Sequence, residues 1–244
     1  MKIIATIEAR MTSTRLPGKV LLEAGGKPML EHLVNRLRAV SSLDEIVLAT
    51  TVNATDDVLI EFAKRVGISF FRGSETDVMS RVINAAESVK GKIIVELTGD
   101  NPLIDPQIIE QSIRMFKANL PDYLSNSHVG GYPVGMDTQV FSLETLKHSA
   151  SMTKSELDHE HVTLHIRNHP EIFKHLYLLA SPEIHWPELE LTLDEPKDYE
   201  LIKKIIEYFE PSKSIFSCLD IVRLLRQNPD WAAINQSVIR KGDT

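Results

Sequence analysis

The 244-residue chain, 43% hydrophobic and 25% charged, is long enough for one large domain with its own core and has ordinary globular composition. Its 27 Lys and Arg against 34 Asp and Glu leave a net charge of −7, which repels polyanions and argues against a nucleic-acid partner, so an anionic ligand must meet a locally basic site. No apolar run approaches the ~18 residues of a membrane span, and the opening run is interrupted by Glu8 and Arg10, so neither a span nor a signal peptide is expected and a cytoplasmic location is.

Short apolar runs at residues 2–7, 45–50, 68–71 and 92–97 read as strands buried on both faces. Segments of helical period lie between and after them, at 28–38, 55–66, 76–89 and 106–118. This βαβ alternation predicts an α/β fold with a mainly parallel, doubly wound sheet, whose ligands sit beyond the carboxyl ends of the strands. From 121 to 187 the pattern loosens into an excursion, with a helix expected at 156–167 and a strand at 173–180. That excursion is expected to build an acceptor pocket or a dimer arm. A strand at 189–193 and helices at 197–209 and 217–227 close one domain spanning 1–244. The single cysteine, Cys218, reads as a small apolar helix position.

The first strand runs into a loop carrying Arg10, Thr12, Ser13, Thr14, Arg15, Gly18 and Lys19. Three cations and several hydroxyls at the ligand edge of a sheet suit a triphosphate. The loop has neither the glycine spacing of a dinucleotide fingerprint nor a P-loop, which removes the main support for hydride transfer and P-loop hydrolysis. The fourth strand ends in Thr98-Gly99-Asp100, where a carboxylate is placed to bind a magnesium ion bridging phosphates. Asp105, just before Pro106, reads as a helix cap. Asp194 also follows an expected strand and precedes a helix; alone it reads as a cap, but paired with Asp100 it suits metal-assisted phosphoryl transfer. His161 and His165 stand four apart on an expected helix, a zinc-compatible spacing, although a polar helix supporting a pocket or a subunit contact is the better reading.

Several motifs in order carry a further signal. Ile-x-Ala-Arg-Met-x-Ser-Thr-Arg-Leu-Pro-Gly-Lys, the Phe71-Arg-Gly-Ser-Glu-x-Asp-Val block, Thr-Gly-Asp-x-Pro-Leu-Ile-Asp-Pro and Leu-Asp-x-Pro-x-Asp-Tyr-Glu resemble the cytidylyltransferase family of spore-coat polysaccharide proteins, which is similar to the CMP-sialate and CMP-KDO synthetases. The resemblance runs from Met1 to about Phe209 and includes Gly135-Met-Asp-Thr-Gln-Val-Phe141 and Glu160-His-Val-Thr163. It implies a Rossmann-like nucleotide-diphospho-sugar transferase fold that moves CMP from CTP to a sugar acid or similar small acceptor for polysaccharide or surface-glycan synthesis. It implies Mg2+ as cofactor, bound by Asp100 and Asp194, and a catalytic set of Arg10, Lys19, Asp100 and Asp194. The nucleotide side then comprises Ala9, Arg10, Met11, Thr12, Ser13, Arg15, Lys19, Arg72, Asp77, Thr98 and Gly99. The acceptor side comprises Asp137, Glu160 and His161, and a homodimer is implied because related synthetases pair. Glu8 stands where glutamine is expected and Thr12 where glycine is usual, which bears on base contacts and loop shape. Another nucleoside triphosphate, a phosphorylated or phosphonate acceptor, and a non-catalytic nucleotide-binding role stand as alternatives.

Overall fold

The structure is a computed structural model and describes residues 1–127, 129–213 and 215–240. The first strand, β1 (Ile3–Glu8), is followed by a loop, a short 3-10 turn at Lys19–Leu21, and a two-residue hairpin of β2 (Glu23–Ala24) and β3 (Lys27–Pro28). Helix α1 (Met29–Leu37) then leads to β4 (Glu45–Thr51), α2 (Asp57–Val66), β5 (Ser69–Gly73), α3 (Val78–Ser88), β6 (Ile93–Thr98) and α4 (Pro106–Asn119). These elements match the expected alternation within a few residues at each end.

Alternation fixes the two faces of the sheet, because successive strand residues point to opposite sides. Ile3, Ala5 and Ile7 of β1 pack with Val95 and Leu97 of β6 against α1, α2 and α4, while Ile4 and Ile94 pack on the opposite face against α3. The strand order is β5-β4-β1-β6 with all pairings parallel, so the chain winds one way from β1 through β5 and then returns to the other side of β1 at β6. That reversal opens a crevice between the ends of β1 and β6, where a doubly wound sheet presents its ligand site.

The segment 121–187 extends the same sheet. It supplies β7 (Tyr123–Ser125), β8 (Gln139–Ser142) and β9 (His175–Tyr177), with β8 antiparallel to both β6 and β7 and β9 at the edge. Helix α5 (Leu143–Met152) follows β8 without a loop, capped by the Ser142 hydroxyl. The helix expected at 156–167 is two short ones, α6 (Glu156–Glu160) and α7 (Leu164–Asn168), separated where Val162 takes a left-handed φ of 43° that a β-branched residue resists. The strand expected at 189–193 does not form. Its backbone makes a bridge between Glu190 and Val134 and a single bond from Leu193 N to the Asp100 carbonyl instead of a strand ladder, yet Leu189, Leu191 and Leu193 are buried in a second core with α8 (Pro196–Phe209), α9 (Cys218–Gln227) and α10 (Pro229–Ala232).

One pair of buried carboxyl groups, Glu8 and Glu96, lies at the paired strands β1 and β6. Thr6 pairs with Glu96 and Glu8 with Thr98 across β1 and β6, so both glutamates face the α3 side, and the Glu8 oxygens are sealed from solvent. Burial pushes the Glu8 carboxyl well above the usual carboxylate range and Glu96 beside it adds to the push, with Arg81 opposing. Burial raises Glu96 too, although Gln139 donates to it. A group whose folded pKa is raised contributes stability that is complete below the unfolded value near 4.5 and is lost as pH rises through the folded value. Glu8→Gln cannot ionise, so its melting temperature should gain on the parent as pH rises from about 5 to about 8. Thermal unfolding across that range checks this; a constant difference contradicts it.

Candidate active site

The crevice is closed on its floor by contact between two strand ends. Gly99 donates its N–H to the Glu8 carbonyl at 2.8 Å, and a Cβ there would lie 2.9 Å from the Ala9 Cβ, so only glycine lets the β1 and β6 loops meet this closely. Gly18, at φ 69°, turns the basic loop back so that Lys19 opens the 3-10 turn, and its N–H donates to the Met11 carbonyl at 3.1 Å.

Four charged side chains converge there from three separate segments. The Lys19 ammonium lies 2.7 Å from Asp100 Oδ2 and 2.8 Å from Asp194 Oδ1. Arg15 Nη2 reaches Asp194 Oδ2 at 2.8 Å, and its Nε lies 3.8 Å from Glu195 Oε1. The second oxygen of Asp100 accepts from the Thr98 hydroxyl at 2.5 Å. Burial works against the Lys19 charge, but Asp100 and Asp194 outweigh it and hold the ammonium above its ordinary pKa. Burial likewise opposes ionisation of Asp194, and Lys19 with Arg15 overcomes it, so Asp194 stays below the usual carboxylate value.

This donor set fits a divalent cation that travels with phosphates. Magnesium takes one or two carboxylates and completes its shell with waters and phosphate oxygens. Asp100 and Asp194 already share one positive charge, the Lys19 ammonium, which stands in for a cation between them. Among the described residues no cluster of three or more His, Cys, Asp or Glu forms a self-sufficient metal site.

Other expected site residues lie differently. Arg10 is exposed and pairs with Glu75 at 3.2 Å, and the Thr12 hydroxyl donates to the same carboxylate at 3.0 Å. Ser13 accepts the Leu16 N–H at 3.4 Å inside the loop. Arg72 is committed to the segment after β4, donating to the Thr51 and Asn53 carbonyls and pairing with Asp57 at 2.7 Å. Asp77 caps α3 by accepting from Ser80 N at 2.9 Å and meets His159 Nδ1 at 2.9 Å. Asp137 accepts the Gly135 N–H at 3.1 Å, whereas Glu160 and His161 are exposed at the end of α6. Asp194 is not a helix cap: Glu195 holds the N-cap position of α8. Asp105 does cap α4, and also accepts the Cys218 N–H at 2.7 Å.

Two residues that pattern reading did not single out shape the basic loop. Asp56 is fully buried and accepts from Met11 N at 2.8 Å, the Thr50 and Thr51 hydroxyls at 3.0 and 2.6 Å, and Thr51 N at 3.2 Å. Glu75 gathers Arg10, Thr12 and Asn53. The contact from Asp56 to Met11 spans 45 positions and that from Glu75 to Arg10 spans 65, so no local signal in the chain announces either.

Comparison with known proteins identifies the family. A family model described as cytidylyltransferase matches residues 4–223. The chain is 36% identical over 235 residues to the spore coat polysaccharide biosynthesis protein SpsF of Bacillus subtilis, covering 94% of this chain and 96% of that one. It is 36% identical over 119 residues, 49% of this chain and 47% of the relative, to a 3-deoxy-manno-octulosonate cytidylyltransferase of Geobacter sulfurreducens. A solved structure of a cytidylyltransferase from Leptospira borgpetersenii has a TM-score of 0.90 at 34% identity, over 99% of both chains.

Because Asp56 accepts from four donors at once, three of them buried, Asp56→Ala should cost about 3 kcal/mol in urea unfolding and speed amide exchange at Met11 by loosening that end of the loop. Parental stability together with parental exchange at Met11 contradicts the anchoring role.

Proposed function

Because this chain belongs to the cytidylyltransferase family, we propose that it transfers CMP from CTP to a sugar acid or similar small acceptor in the cytoplasm, releasing pyrophosphate, for surface-polysaccharide synthesis. The observation that carries the reading is the convergence of Arg15 and Lys19 on Asp100 and Asp194 at the switch point of the sheet. The choice of a sugar acid follows the name of the Geobacter relative, and the polysaccharide role follows that of the Bacillus one.

In the proposed reaction an acceptor oxygen attacks the α-phosphorus of CTP in line. A new O–P bond forms, the bond from the α-phosphorus to the bridging oxygen breaks, and that oxygen leaves with the electron pair on pyrophosphate while the proton of the acceptor hydroxyl passes to solvent water. Lys19 and Arg15 bring positive charge from one loop and Arg10 reaches the phosphates from the exposed rim, so charge developing on the leaving group meets fixed cations. With a phosphate chain in place, Lys19 would exchange a carboxylate for a phosphate oxygen, and Asp100 and Asp194 would hold a magnesium ion. When bound, that ion would supply Lewis-acid stabilisation of the phosphate charge. The rest of the chemistry is positioning.

Pyrophosphate release measured with each of the four nucleoside triphosphates and a panel of sugar acids should be fastest with CTP. Asp194→Asn should leave the cap of α8 in place, because Glu195 and not Asp194 holds it, lose some stability with the ion pairs to Lys19 and Arg15, and lose turnover by about a hundredfold or more. Near-parental turnover of this variant across a magnesium titration removes Asp194 from the site.

We also propose that the chain acts as a homodimer paired through the segment 121–187. Val129, Leu157, Ile172, Tyr177 and Leu179 are large apolar residues exposed in that segment, and β9 is an edge strand of the sheet among the described residues. Light scattering at micromolar concentration should give a mass near twice 27.5 kDa, and a monomeric mass rejects pairing.

A further inference from the structure

Behind Asp194 lies a second buried carboxylate that belongs to no catalytic motif role. Asp198, in the first turn of α8, is fully buried, and its Oδ2 accepts the backbone N–H of Asp194 at 3.1 Å and of Glu195 at 2.8 Å. Those two amides set the direction in which the Asp194 side chain leaves the backbone. A buried carboxylate holds such donors only while its own charge is compensated, because an uncompensated buried charge is strongly unfavourable.

The compensation comes from the far end of the chain. Arg240, 42 positions later, grips Asp198 bidentately, Nη1 to Oδ2 at 2.8 Å and Nη2 to Oδ1 at 2.7 Å, with its side chain only 15% exposed. Asn235, itself buried, adds a third side-chain contact by donating to Asp198 Oδ1 at 2.7 Å and to the Glu190 carbonyl at 3.0 Å. The planar fork of arginine matches both oxygens at once, which an ammonium cannot do.

We propose that Arg240 is a positioning residue for Asp194, fixing the Asp194 main chain through the buried Asp198 carboxylate. Its consequence for metal and turnover rests on the function proposed above; the mechanical link from Arg240 to the Asp194 amide does not. An outer partner that orients a ligand carboxylate typically changes metal affinity by about ten- to a hundredfold when removed.

Hydrogen exchange of the parent, Arg240→Met and Arg240→Lys tests the link directly. The amides of Asp194, Glu195, Lys197 and Asp198 should exchange at least about tenfold faster in Arg240→Met, with β1 and β6 as protected as in the parent, and Arg240→Lys should fall between. Manganese titrated into the CTP-loaded protein should bind about tenfold more weakly to Arg240→Met, with CTP affinity in the absence of metal unchanged. Parental exchange at 194–198 overturns the proposal, as does faster exchange spread evenly through β1 and β6, because the arginine is then a general stabiliser. Should Arg240→Met fail to fold, the lysine variant decides alone: parental exchange overturns the proposal and selective loss at 194–198 supports it. If the exchange pattern is as expected but the parent releases no pyrophosphate from CTP with any acceptor, the positioning role stands and the proposed function falls.

Discussion

Two aspartates from distant parts of the chain share one ammonium, and the geometry of the crevice depends on that charge. Asp100 ends β6 and Asp194 precedes α8, and like charges brought to one place repel unless a cation lies between them. Lys19 supplies it, with its side chain 12% exposed, so the attraction is screened far less than at an open surface. The lysine is held by a 3-10 turn whose start is set by a left-handed glycine. Three segments are therefore tied together by one side chain, and each is fixed by a separate local device: Gly18 for the loop, Gly99 for the β6 end and the Asp198 carboxylate for the Asp194 backbone.

The sheet determines where this tie can form. Because β4 and β6 flank β1 in parallel, the loops after β1 and β6 leave the sheet at the same edge, where such a sheet presents its ligand site. The third contributor, the stretch at 189–193, reaches the crevice without entering the sheet. Leu193 donates to the Asp100 carbonyl at 2.8 Å and Leu191 to the Val134 carbonyl at 2.9 Å, while the three leucines bury themselves in the second core. Apolar anchoring thus delivers a charged residue to a place where no strand ladder carries it.

The central strands were legible in the sequence because each is buried on both faces and reads as an unbroken apolar run, and the doubly wound reading followed from their alternation with helices, while the Rossmann-like transferase fold came from the family resemblance. Beyond residue 120 the same signals fail for identifiable reasons. Strand β7 has three residues and β8 runs directly into a helix, so neither shows a period long enough to read. The region at 156–167 has helical composition throughout, but the left-handed Val162 divides it. Leu189, Leu191 and Leu193 alternate like a strand because alternate residues face a core, yet that core is made of helices. In the site, Lys19, Arg15, Asp100 and Asp194 were singled out from their positions after strands and do meet. Asp56, Glu75 and Arg240 were not, since each acts through a partner more than forty positions away.

Charge in the crevice also bears on what must accompany a nucleotide. Arg15 and Lys19 bring two positive charges, and Asp100, Asp194 and Glu195 within reach of them bring three negative ones. Arg10 adds a positive charge at the rim, but Glu75 matches it. A bare triphosphate would therefore meet a site with no surplus of positive charge, despite the density of cations in the loop sequence. With a divalent ion among the phosphates, as proposed, Asp100 and Asp194 would hold that ion and the Lys19 ammonium between them would be available to the phosphate chain. Arg10 is available for a different reason, since its partner is half-exposed and such pairs contribute at most about 1 kcal/mol, which a phosphate contact readily replaces. The cations of the loop are thus held by carboxylates in the absence of nucleotide, and the proposed requirement for magnesium follows from the charge those carboxylates would otherwise set against the substrate.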